Sequence, residues 1–141
     1  MVHEVNLVLV RGVYDALQRG DIPALLELLH DDVELDVTGP PSVPFVGIHR
    51  GKAGLAEFFE LVARTVEREP DAAVPEVHEV VVHGDKAVVT GVDRIRSKAT
   101  GRMYEGWWIH VLELRDGRVA RIREFFDTAA AHAAFHPAPD A

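Results

Sequence analysis

The 141-residue sequence contains no cysteine, which excludes a disulfide framework and any thiolate-based metal or redox chemistry. It is short of positive charge. Fifteen Lys and Arg stand against 23 Asp and Glu, a net charge of −8. That balance repels phosphate backbones and anionic lipid, so neither nucleic acid nor a membrane is expected as a partner. No apolar run approaches the roughly 20 residues of a membrane span, and "MVHEVNLVLVRG" lacks a signal-peptide layout. A cytoplasmic location is expected. No glycine loop for phosphate is present, so no nucleotide cofactor is expected. The eight histidines form no close pair at ligand spacing on a secure helix. His132 and His136 are four apart, but near the frayed end, so no metal is expected.

What is present points to one domain over 1–135 with a disordered tail at 136–141. The length suits a single core, and 48% apolar with 27% charged residues is ordinary for a globular chain. Val5, Leu9, Val13 and Leu17 recur at helical spacing until Gly20, with Leu7, Val10 and Tyr14 widening the face. Asp21 caps a second helix, "DIPALLELLHDD", with Pro23 in its first turn. "VELDV" alternates as a strand, "TGPPSVP" is a loop, and "FVGIHRG" is a short extended piece. A third helix spans "KAGLAEFFELVARTVERE". After "PDAAVP" come four strand-like stretches joined by tight turns, then the short helix "TAAAHAAF" with Asp127 or Thr128 as its cap. Helices gathered before an antiparallel meander make an α+β fold, a curved sheet closed by three helices around a conical space.

In "WWIHVLELRDGRVARIREFFD" two polar residues interrupt core positions, His110 on one strand and Glu124 on the next. A three-residue "RDG" loop would set Trp108 opposite Glu124, with His110 its diagonal neighbour roughly 7–8 Å away. The odd residues of the last strand include Arg121 and Arg123, so its even face is the expected interior. If even residues also pair with even across "KATG", Arg94 joins the cluster. A two-residue "DG" turn would instead flip the faces and break it. Burial raises the pKa of a carboxylate and a neighbouring cation lowers it, a balance that suits acid/base work near neutrality. A structural Arg94–Glu124 pair with a satisfied histidine beside it is the plain alternative.

"RGVYDALQRGDIPALLELLHDDVELDV", "FVGIHRG" and "RDGRVARIREFFDTAA" together resemble the SnoaL-like branch of the nuclear transport factor 2-like superfamily, over roughly residues 3–135. The resemblance implies a cone of curved antiparallel sheet, commonly dimeric through its outer face. The positions of the ketosteroid isomerase relatives fall here on Val37, on Val13 beside Tyr14, and on His110, so that apparatus is largely missing. The SnoaL-type polyketide cyclases look to an acid/base carboxylate on the last strand and a histidine on the strand before it, which match Glu124 and His110. Epoxide hydrolase-like relatives would need a second cavity carboxylate beside Arg94, and none is evident.

The expected function is therefore cofactor-free acid/base chemistry on a small hydrophobic, oxygenated molecule. Glu124 takes a proton, His110 donates a hydrogen bond to the oxygen gaining charge, and Arg94 holds the carboxylate. Trp108, Tyr14, Val37, Phe45, His49, Phe59, Ile122 and Phe126 are the expected substrate contacts, and a homodimer is the expected assembly. A non-catalytic binder of a similar molecule and an epoxide hydrolase-like enzyme are the competing expectations.

Overall fold

In a computed structural model, which describes residues 2–68 and 75–136, a curled sheet forms a half-barrel closed by helices. Helix α1 (Val2–Arg19) buries Asn6, Leu9, Val10, Val13, Tyr14 and Ala16. The inward stripe is rotated from the expected one, leaving Val5 60% exposed. Gly20 ends the helix at φ 68°, a left-handed conformation that favours glycine. Helix α2 (Ile22–Glu27) starts where the Ala24 N–H donates to Asp21 Oδ1 at 3.1 Å. It is shorter than expected, because strand β1 (Leu29–Val37) begins at Leu29 and not at Val33. Leu29 is fully buried beside Val119, so pairing with the last strand outweighs helical propensity there.

Strand β2 (Gly47–Arg50) leads into α3 (Gly51–Thr65). The helix stops before the expected "VERE", which instead supplies strand β3 (Val66–Arg68), paired with β5. The expected linker "PDAAVP" lies, apart from Pro75, outside the described residues, as does the expected tail from residue 137 onward. His136 is described, and shares a 2.6 Å hydrogen bond with the Ser42 carbonyl. The meander follows as β4 (Glu76–His83), β5 (Lys86–Ser97), β6 (Met103–Arg115) and β7 (Arg118–Phe126). Helix α4 (Thr128–Phe135) is capped by Asp127, whose Oδ1 accepts from the Ala130 N–H at 3.1 Å.

The sheet runs β2-β1-β7-β6-β5-β3, with β4 on the other half of β5. Every pairing is antiparallel except β1 with β7, which is parallel. Helix α1 packs on β4 and α2, α3 on β1, and α4 on β6. Among the described residues no helix is long and apolar enough to cross a membrane.

The β6–β7 turn differs from the expected three-residue loop. Asp116 (φ 52°) and Gly117 (φ 74°) form a two-residue turn between Arg115 and Arg118, the geometry that matches strand twist. Alone, that turn would exchange the faces. A bulge restores them: Leu114 pairs Val119, whereas Glu113 pairs Arg121, leaving Ala120 as the extra residue. His110 thus stands directly opposite Glu124, and Trp108 opposite Phe126.

Across β5–β6 the expected parity fails. Val89 pairs His110, Gly91 pairs Trp108 and Arg94 pairs Glu105. The odd residues of β5 therefore face the interior, and Arg94 lies outside.

Candidate functional site

The cone encloses a cavity of about 140 Å³. Its walls are mostly apolar: Leu25, Leu29 and Leu35 on one side, and Phe45, Phe58 and Phe59 on another. The polar side chains lining it are Tyr14, Asp93, His110, Glu124 and Arg68, with the last exposed.

Three of these form a chain. Tyr14 Oη lies 2.7 Å from His110 Nδ1, and His110 Nε2 lies 2.6 Å from Glu124 Oε1. Burial first, then the charge of Glu124, pushes the Tyr14 hydroxyl well above its ordinary pKa, so it keeps its proton. The self-consistent arrangement has the Tyr14 O–H donating to Nδ1 and the neutral imidazole donating its Nε2–H to the carboxylate. Each ring nitrogen of His110 thus has one partner, and Glu124 itself lines the cavity. The short contact to Glu124 has the length of a charge-assisted bond. Trp108 braces the histidine, the two rings 4.3 Å apart at 29°, and Tyr14 lies nearly parallel to the indole at 5.8 Å and 7°.

This geometry corrects the expected role of His110. Both ring nitrogens are engaged, so it bridges Tyr14 and Glu124 and has no N–H free for a substrate oxygen. Arg94 is a second correction. Its side chain is half exposed and Nε lies 3.4 Å from Glu105 Oε1, on the outer face.

Of the expected contacts, Tyr14, Trp108, Phe45, Phe59 and Ile122 line the cavity. Val37 is buried in the core and is not among the lining residues. Phe126 packs behind the wall, 5.9 Å from the Phe45 ring. His49 is turned away; its Nε2 is 3.0 Å from the Phe45 carbonyl, and its ring rests on Phe58.

The sequence reading missed Asp93, which supplies the second cavity carboxylate. Asp93 is partly buried, with Oδ1 fully so and without a hydrogen-bond partner. Burial, then the Glu124 charge, raises its pKa from 3.8 to about 6, while the Arg68 charge pulls it back. Trp108 Nε1 is also buried without a partner. Among the described residues no three His, Asp or Glu side chains gather as metal ligands.

A curled sheet closed by helices over a partly polar cavity defines the chain as a nuclear transport factor 2-like protein. It matches the SnoaL-like domain family over residues 10–122, and belongs to that family. A nuclear transport factor 2-like protein of Burkholderia xenovorans LB400 is similar in structure, at 31% identity and TM-score 0.83, covering 96% of this chain and 99% of that one. TerC, crystallised with polyporic acid, is similar at 25% identity and TM-score 0.77, covering 93% and 98%. An uncharacterized protein of Mycobacterium tuberculosis is 26% identical over 135 residues, 96% of this chain and 98% of that one.

Proposed function

We propose that the protein is an enzyme performing cofactor-free acid/base chemistry, of the cyclase or isomerase type, on a small hydrophobic, oxygenated molecule in the cytoplasm. The Tyr14–His110–Glu124 chain at the polar end of an apolar cavity carries this reading. Glu124, which lines the cavity, is the base. His110 positions it and links it to Tyr14, and Trp108 holds the imidazole in plane. A cavity near 140 Å³ suits one six-membered ring, since an apolar cavity of about 150 Å³ accommodates benzene. A larger substrate would extend past Arg68 at the open end. That TerC was crystallised with polyporic acid favours a small-molecule ligand here too.

The test is α-proton exchange of cyclohexanone in D₂O. Wild type should accelerate exchange over buffer, and Glu124→Gln should lose about 10²-fold in rate while still binding the ketone. A binder without catalysis would take up cyclohexanone yet leave exchange at the buffer rate.

We also propose a homodimer through the outer sheet face. Val81, Val88 and Val111 stand side by side there, next to Ile109 with Phe125 and Val92 with Trp107. Val81 and Trp107 are each about half exposed, an apolar patch that single chains seldom leave open. Trp107→Glu should convert the sedimenting species from dimer to monomer. A wild-type protein that sediments as a monomer would remove the proposal.

A further inference from the structure

The Tyr14–His110–Glu124 chain leaves two buried polar atoms of the cavity unused. One is Asp93 Oδ1 and the other is Trp108 Nε1. Both residues line the cavity, and a buried polar atom without a partner costs stability, so each stands to gain from a ligand group brought beside it. Their placement is related. Asp93 and Gly91 are neighbours on the inner face of β5, and Gly91 stands opposite Trp108. The indole lies flat over Gly91, with Cε2, the carbon bonded to Nε1, 2.7 Å from where a Cβ would stand. The Nε1 side of the indole therefore lies close to β5, the strand that also carries Asp93 two residues on.

The two carboxylates of the cavity differ in their surroundings. Glu124 has a hydrogen-bond donor, His110, on Oε1. Asp93 has no such donor on Oδ1, and it meets the Glu124 charge from the neighbouring wall. Two carboxylates in one apolar cavity cannot both ionise without cost, and the proton falls to the one with fewer donors. The charged and titratable groups around Asp93 are Glu124 on β7, His110 and Tyr104 on β6, and Arg68 on β3.

We propose that Asp93 is the general acid of this cavity, delivering its proton to a substrate oxygen that also accepts from the Trp108 N–H, across from the Glu124 base. This rests on the acid/base reading above and adds its second half. The substrate class is a compact ketone with a hydrogen on the carbon next to the carbonyl. Glu124 removes that hydrogen as a proton, and the C–H electron pair becomes the new C=C bond. The carbonyl π pair moves to oxygen, which takes the proton of Asp93. The product is the enol, with Glu124 protonated and Asp93 ionised, and the reverse step restores both. Such an enol is the carbon nucleophile that a ring closure or an isomerisation needs.

The cyclohexanone exchange assay in D₂O, run from pH 4.5 to 8.5, tests this. Wild-type kcat should fall above about pH 6, where Asp93 loses its proton. Asp93→Asn should lower kcat about 10²-fold with KM little changed, and remove that basic limb. Asp93→Glu should recover part of the rate and the limb. Trp108→Phe, which removes the N–H donor along with the five-membered ring that bears it, should lower kcat about tenfold. If Asp93→Asn keeps the wild-type rate and limb while Glu124→Gln is inactive, the acid role is overturned and the base reading stands. If wild type does not exceed buffer, both fall.

Discussion

Gly91→Ala unfolds at a lower urea concentration than wild type, with a loss of about 3–4 kcal/mol. A Cβ at this position would stand 2.0 Å from the Glu76 carbonyl oxygen and 2.4 Å from Trp108 Cζ2. Neither neighbour can yield cheaply. Glu76 O is backbone of β4, held in register with β5 across a bulge between Val77 and Glu79. Trp108 is almost fully buried and packed against both Tyr14 and His110. One of the two must move by an ångström or so, separating the strand or tilting the indole. Tryptophan fluorescence tells the two apart, because Trp107 on the outer face is insensitive to a shift of its buried neighbour. A tilted Trp108 would change the emission of the folded state and loosen His110, weakening cyclohexanone binding. An Ala variant as stable as wild type would mean that the close approach is relaxed in solution.

At pH 8 the Asp93→Asn variant is more stable than wild type by about 3 kcal/mol. The carboxyl is raised in the folded state from 3.8 to about 6, so between those values the folded protein binds more protons than the unfolded chain. Wild-type stability therefore falls as pH rises from about 4 to 6, and the full cost, about 3 kcal/mol, stays above that window. Asparagine keeps the shape of the neutral acid and has no charge to bury, so its curve lacks this fall. The urea midpoint should rise by about 1–2 M at pH 8 and hardly change at pH 4. Equal midpoints at pH 8 would show that Asp93 is hydrated. The variant that gains stability is the one expected to lose turnover, the usual exchange at a strained site.

Asp93 also marks the limit of what was readable in the sequence. Helical spacing located α1, α2 and α3, and alternation located the meander, because each buries one face and those periods are local. Glu124 and His110 stood out as polar residues in an apolar alternation. What periodicity alone does not give is the register between strands. The parity of β6 with β7 came out as expected only because a two-residue turn and a bulge at Ala120 offset each other. The parity of β5 did not. A usable signal was present in "KAVVTGVDRIRS", where the even residues include both Arg94 and Arg96. Like Arg121 and Arg123 on β7, these two arginines mark the outer face, and their odd-numbered neighbour Asp93 belongs inside. The early end of α3 at Thr65 was less legible. Strand β3 gains its stability from pairing with Ser97, Arg96 and Ile95, a tertiary contact that local propensity does not register.

The parallel pairing of β1 with β7 has a consequence during synthesis. Leu29 meets Val119 and Val37 meets Glu124, so the first long strand has no neighbour on that side until the last one is made. The hydrogen-bonded chain is equally non-local, since Tyr14 and His110 are 96 positions apart. A nascent chain leaving the ribosome therefore carries α1 and its tyrosine for most of translation without the residues that complete the cavity. Folding waits for the C-terminal strands, and the cavity and its two carboxylates come together in one late step.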